Sequence, residues 1–307
     1  MVIFKIIFVF VILNLQTVKL FSQQVKKVEA ISLSGDPLYK IELTPDRKKE
    51  FEEKYNFALQ EFLNDSLNVD KFIWVGRQIA YLGNYNDAIN WYTIGLKKFP
   101  DNYKILRHRG HRYLSIRQFG NAQIDLEKAS KLISNIPDEI EADGLPNKFN
   151  IPTSTTHTNI WYHLGLAFYF QKNYKKSEEA FNECLKFSKN DDMICATIDW
   201  LYTVKRRLNK KDDAQKLLDK ITTEMQIIEN HAYFNRLLLY KGLKTPQELY
   251  SDSETDPVTI ATQGYGIGCW YLVNGDTLKA KKYFKEVLKT SNWSAFGFIA
   301  SEVEVAE

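Results

Sequence analysis

Apolar positions recur at helical spacing from residue 45 almost to the end of the chain, and short polar turns interrupt them at regular intervals. Thr44, Pro45 and Asp46 form a helix-start signal, and RKKEFEEKYNFALQEF then places Phe51, Tyr55, Ala58, Leu59 and Phe62 on one face, predicting a leading cap helix. Beyond it one spacing occurs five times: a small or turn-compatible residue, then Ala or Ser twelve positions on, then a bulky apolar residue four further on. The sets are Gly76, Ala88, Tyr92; Gly110, Ala122, Leu126; Gly165, Ser177, Phe181; Tyr202, Ala214, Leu218; and Gly268, Ala280, Phe284. Two helices that cross closely need a small residue at the crossing and a large one beside it, so each set predicts a helical hairpin. A fixed internal period also decides the architecture, because each unit buries its apolar face only against its neighbours.

Gly76 and Gly110 lie 34 residues apart, so the first two units are predicted to stack without a linker. The expected repeats run near 69–102, 103–136, 158–190, 195–228 and 261–292. A degenerate hairpin at 231–255 fills the long interval before Gly268, and SAFGFIASEVEVA has the period of a closing helix. Between Gly110 and Gly165 the spacing exceeds one period by 21 residues, which fall in a loop at 134–157 carrying Pro137, Pro146 and Pro152. A loop that long inside a repeat array is more often functional than neutral.

The 34-residue period, the segment IAYLGNYNDAINWYTIGLKKFP and the recurring Gly, Ala, aromatic and Pro positions resemble the tetratricopeptide repeat (TPR) family. That resemblance implies an all-α, right-handed superhelical solenoid of antiparallel helix pairs over residues 46–305. RHRGHRY, DGLPNKFNIPTST with NIWYHLGLAFY, and WSAFGFIASE resemble a group of exported bacterial tetratricopeptide proteins without an assigned biochemical role. The family resemblance implies a binding scaffold and supplies no reaction.

Charge and composition narrow the context. Lys5, the apolar run Ile6 to Leu13 and the small and polar residues around Ser22 read as a signal peptide over 1–23, followed by an extended segment over 24–45. The expected location is therefore a periplasm or the cell exterior, with no transmembrane segment in the mature chain, because the apolar run is too short to span a bilayer. With 41 basic and 38 acidic residues the net charge of +3 gives no case for nucleic-acid binding. Three cysteines are no disulfide framework. Cys184 and Cys195 fall where two repeats meet, and buried thiols are the reading favoured over a bridge.

In such a solenoid the first helix of each hairpin lines the concave side. Helical phase then predicts a ligand-binding groove containing Arg77, Tyr81, Lys104, Arg107, His111, Asn159, Tyr162 and Arg206. Arg107 and His111 are one turn apart and Arg77 holds the matching position of the preceding hairpin, so their donors are expected to converge on an acidic group of a protein or peptide partner. A solvated face on RHRGHR is the competing account. From another class comes an envelope glycan-active or metal-dependent enzyme using the 138–144 loop, whose EIEADG presents Glu139, Glu141 and Asp143. The full calcium-loop pattern is absent, since Asn150 stands where its distal Glu belongs, and His108 with His111 has neither a third ligand nor a zincin Glu. No catalytic residue, cofactor or metal is expected. The glycines of GYGIG at 264–268 are expected to permit close helix packing.

Overall fold

The computed structural model describes residues 26–251 and 253–306. The expected signal peptide at 1–23 lies outside the described residues. The segment after it folds as an antiparallel β-hairpin, β1 (Val28–Ile31) with β2 (Pro37–Tyr39), where the sequence suggested only an extended stretch. Helices α1 (Pro45–Asn64), α2 (Val69–Tyr81), α3 (Tyr85–Lys98), α4 (Tyr103–Ser115), α5 (Phe119–Leu132), α6 (Thr156–Phe170), α7 (Tyr174–Phe187), α8 (Asp191–Arg207) and α9 (Lys211–Leu218) follow. Then come α10 (His231–Tyr240), the single turn α11 (Pro246–Leu249), and α12 (Pro257–Thr259), which runs through a π-helical turn into α13 (Tyr265–Val273). Helices α14 (Thr277–Val287) and α15 (Phe296–Val305) complete the chain. From α2 to α9 neighbouring helices pack as antiparallel pairs in sequence order, α10 packs back on α8, and α13, α14 and α15 pack in order again, so the fold is an all-α, TPR-like array with one small β-hairpin at its start.

The turns repeat as faithfully as the helices. Gly83, Arg117, Lys172, Asn209 and Gly275 each stand seven residues after the first member of their set, and all five have positive φ. At each turn the left-handed residue donates to a carbonyl three back and the next residue donates to one five back, as in Gly83 N to Ala80 O and Asn84 N to Ile79 O. That pair of bonds satisfies the last carbonyls of the first helix and aims the chain into the second. Gly242 makes the same turn after α10 with the same bond pattern, so the degenerate unit keeps the turn while its second helix shrinks to α11.

Close approach explains the spacing of the sets. A methyl group on Gly76 would collide with the Tyr92 ring, one on Gly110 with Leu126, one on Gly165 with Phe181 and one on Gly268 with Phe284. Ala88, Ala122, Ser177, Ala214 and Ala280 are fully buried at the crossings. Tyr202 stands where the other sets have glycine; its ring stacks on Tyr240 of the following hairpin at 4.7 Å. In GYGIG, Gly266 leaves the space taken by the Arg236 side chain, and Gly268 admits Phe284. The thiols Cys184, Cys195 and Cys269 are free and buried. Burial pushes each of them up to about 12.

Helix α15 packs on α13 and α14 and also reaches back to earlier hairpins. Its residues Phe298 to Glu304 are all buried, as expected of a helix enclosed on every side. Glu302 pairs with Arg117 at 2.8 Å, Glu304 pairs with Arg207 at 3.0 Å, and Phe296 packs on His111 and His163. Trp293 donates its indole N–H to Tyr39 O, joining the last segment to the opening β-hairpin. The array therefore curls until its two ends meet.

A candidate binding groove occupied by its own insertion

The inner faces of α2 and α4 carry the cations that the sequence placed there, and the insertion after α5 lies over them. Its two legs are joined by an antiparallel bridge between Ile140 and Thr155, by Glu141 N to Ser154 O and by Thr156 N to Glu139 O. Thr155 also closes a capping box with Thr158 at the start of α6. Glu229 accepts from the Asn147 amide at 3.0 Å and from the Thr153 hydroxyl, tying the far end of the insertion to the segment before α10. The strand Glu139 to Asp143 is thus held as a fixed strap.

The strap places acceptors on three cations. Lys104 Nζ bridges Glu139 and Asp70, at 3.1 Å from each. Arg107 Nη2 meets Glu141 at 3.0 Å. Arg77 Nη1 donates to Ala142 O at 2.7 Å, its Nη2 reaches the Tyr81 hydroxyl, and its guanidinium lies over Trp74 at 4.4 Å. Gly144 fits because it has no side chain: a Cβ there would strike the Tyr81 ring and hydroxyl. Beside the strap, Phe57, Ala58, Trp74, Gln78, Gly144 and Pro146 border a largely apolar groove of about 680 Å³.

Elsewhere the predicted groove is closed. Tyr162 is buried, accepts from the Trp200 indole at 2.7 Å and donates to the Tyr233 hydroxyl at 2.9 Å. Arg206 is spent on Tyr202, Val273 O and Asn274, tying the ends of α8 and α13 together. Asn159 donates its amide to Ser154 within the root of the insertion, and His111 stacks against His163 with ring centroids 4.3 Å apart. The eight predicted groove residues therefore do not share one open surface. Arg77, Tyr81, Lys104 and Arg107 lie under the strap, His111 lies beneath α15, Asn159 anchors the insertion, and Tyr162 and Arg206 belong to contacts between later hairpins.

Below the strap lies a smaller cavity of about 110 Å³, lined by Arg77, Tyr81, Tyr92, Arg107, His108, His111 and Arg112. Arg107 Nη1 contacts His108 Nδ1 at 2.9 Å; a guanidinium only donates, so Nδ1 accepts and the proton of the neutral ring sits on Nε2. Burial, then the nearby arginine charges, hold His108 well below its ordinary range. His111 and His163 are shifted the same way, again with burial as the main cause. Arg112 and His108 were absent from the predicted groove. The crowded run RHRGHR was the available signal, but helical phase alone assigned those two side chains elsewhere.

The acidic residues of the enzyme alternative do come together in the strap. Glu139 and Glu141 serve there as ion-pair acceptors, while burial, helped by Glu229 and opposed by Arg77, pushes Asp143 up to about 6. Among the described residues no group of three or more His, Cys, Asp or Glu side chains is placed to hold a metal ion. No described helix is long and apolar enough to cross a membrane.

The tetratricopeptide repeat family model matches residues 158–191, which span α6 and α7. No curated protein matches the chain. Among solved structures, YrrB, described as a TPR protein with an unusual peptide-binding site, is 11% identical and has a TM-score of 0.43; the match covers 75% of this chain and 90% of YrrB. A tetratricopeptide repeat protein from Parabacteroides merdae is 15% identical with a TM-score of 0.47, over 84% of this chain and 99% of its own. BtubC from P. vanneervenii is 14% identical with a TM-score of 0.45, over 79% and 88%. The helix pairs, their common turn and the repeat-family match at the third hairpin make this chain an all-α protein of TPR-like architecture.

Proposed function

We propose that this protein is an exported, non-catalytic interaction scaffold that holds an extended acidic segment of a partner protein on the inner faces of α2 and α4. One observation carries the reading: those faces already hold an acidic extended segment, the chain's own Glu139 to Ala142, through two carboxylates and one backbone carbonyl. A surface that satisfies an internal strap with those groups offers the same donors to a partner segment of the same chemistry. The partner takes the place of the strap, and the apolar groove beside Trp74 and Phe57 receives its flanking side chain. Export rests on the charged, apolar and small-residue pattern of residues 1–23.

The test uses a synthetic peptide of residues 138–144, DEIEADG, titrated into the full chain and into a Glu139→Gln/Glu141→Gln variant. At about 1.5–3 kcal/mol for each charge-assisted hydrogen bond, less the cost of ordering the peptide, the variant should bind with a dissociation constant near the micromolar range. The unaltered protein should bind at least tenfold more weakly because its strap competes. Gly144→Val, which collides with Tyr81, should lift the strap by another route and also expose the site. Equal binding of a peptide carrying Gln at both Glu positions, or no binding to either variant, would reject the proposal.

A further inference from the structure

We propose that the cavity between α2 and α4 is a binding site for a small tetrahedral oxoanion of the phosphate or sulfate class. This goes beyond the groove reading and does not depend on it, because the anion would sit beneath the strap, among groups that the strap leaves unsatisfied.

Charge is the first argument. Three guanidinium groups, from Arg77, Arg107 and Arg112, line the cavity, and among the described residues Glu141 is the one carboxylate in an ion pair with any of them. Three positive charges less that one leave +2, since His108 and His111 are held neutral, and Asp143, whose charge bears on Arg77 and Arg107, lowers the excess toward +1 when ionised. An oxoanion carrying about one to two negative charges, as phosphate does near neutral pH, balances that excess. Such an excess in a largely buried site is costly unless something compensates it.

Unused donors are the second. Arg107 is 7% exposed, yet its Nε–H has no acceptor. Among the described residues Arg112 has no carboxylate partner; its guanidinium lies over the Tyr85 ring at 5.5 Å. The Tyr81 hydroxyl accepts from Arg77 and keeps its own proton to donate. Buried donors in folded proteins are nearly always satisfied, so the buried Arg107 Nε–H, beside a cavity that also presents the half-buried Arg112 and Tyr81 donors, points to an occupant that accepts.

Shape is the third. Arg107 and Arg112 are five residues apart on α4, about 140° around the helix axis, and Arg77 arrives from α2. Donors bordering a cavity from separate sides suit an anion with oxygens on several sides better than a planar carboxylate. A volume of about 110 Å³ holds such an ion and excludes a stretch of peptide. The shared chemistry is the tetrahedral oxoanion, whether free in solution or carried as a phosphomonoester on a larger molecule.

The experiment measures phosphate, sulfate and phenyl phosphate binding to the full chain by calorimetry, with thermal melting in sodium chloride of matched ionic strength as the control. Phosphate and sulfate should bind and raise the melting temperature by several degrees while chloride does not. Arg112→Gln should weaken phosphate binding at least tenfold and abolish the phosphate-induced shift of the His111 ring resonances. Arg112→Lys should recover part of both, which a purely structural loss would not show. Tighter binding of free phosphate than of phenyl phosphate assigns the site to the free ion, and equal binding assigns it to a phosphoryl group on a larger molecule; both support the site. A melting response that chloride reproduces, or one unchanged in Arg112→Gln, overturns it. Placed in the Glu139→Gln/Glu141→Gln background, Arg112→Gln should still bind DEIEADG, so failure here and failure of the groove reading are separately visible.

Discussion

Arg107 of α4 and Glu141 of the insertion meet at 3.0 Å with both side chains almost wholly covered, at 9% and 13% exposure. Burial pulls the Arg107 guanidinium down from its ordinary value and the Glu141 charge opposes that pull. This pair fastens the strap to the array at the point where the predicted ligand was to bind.

Removing one partner strands the other. Glu141→Ala should lower unfolding free energy by about 3 kcal/mol, because the arginine keeps its burial and loses its carboxylate. Glu141→Gln still accepts a hydrogen bond and should cost about half as much. Urea denaturation reads both, and a loss below about 0.5 kcal/mol for the alanine variant would mean that water already solvates the pair.

Acid should destabilise the same region. His108, His111 and His163 are held well below the ordinary histidine value, chiefly by burial and then by charges that include Arg107 and Arg112. For a depressed folded value the contribution is complete above the unfolded value, near 6.5, and is lost as pH falls below it, since the unfolded rings take up protons that the folded ones refuse. Each ring then costs about 1.4 kcal/mol per pH unit. Asp143 and Asp199, pushed up to about 6 by burial, act in the opposite sense, gaining stability as pH falls from about 6 toward their unfolded value. Asp125, Glu302 and Glu304, also raised by burial, act with those two at the acid end of the range; the three rings dominate just below pH 6.5, so a net loss on entering that range is expected, which melting curves should show and which replacing His111 with Asn should reduce. A flat profile would contradict it.

Much of the fold was legible because its determinants are local and periodic. The sets record where helices cross, and the collision of any side chain at Gly76, Gly110, Gly165 or Gly268 explains why four of the five begin with glycine. The fate of the groove was not legible, because it depends on partners far apart in sequence. Helical phase could show that Arg77, Lys104 and Arg107 face inward, but nothing in it brings Glu139, Glu141 and Ala142 onto them. Tyr162 and Arg206 were assigned to the groove by the same phase, and the tight curl of the array turned both inward onto later helices. The +7 position was also readable in principle; Arg117, Lys172 and Asn209 hid it because only two of the five turns carry glycine.

Closure of the array should be strongly cooperative. Arg117 donates from Nε to Glu302 at 2.8 Å and from Nη2 to Trp293 O at 2.7 Å, so one residue in the second hairpin's turn secures the chain's last segment. Arg117→Ala leaves Glu302 buried without its charge partner and should cost about 3 kcal/mol, with no gain at the turn, where alanine tolerates positive φ no better than arginine. Hydrogen exchange should report faster opening of α15 together with β1 and β2, which Trp293 joins through Tyr39 O. Exchange confined to α15 would show that the two ends are not coupled.

Three glycine-to-alanine changes separate close packing from helix propensity. At Gly76 the new methyl meets the Tyr92 ring, which is fully buried and has no room to turn aside, so a loss of about 2–3 kcal/mol is expected. At Gly110 the methyl meets Cγ of Leu126, equally buried but 2.7 Å away with its other contacts at 3.2 Å, so the overlap is smaller and a loss of about 1–2 kcal/mol is expected. Gly120, near the start of α5, has nothing within 4 Å, so alanine there meets no obstacle and gains from a less flexible unfolded chain, by about 0.4–1 kcal/mol. Chemical denaturation of the three variants should give that order. If Gly76→Ala were as harmless as Gly120→Ala, the twelve-plus-four spacing would have to reflect something other than the crossing distance of paired helices.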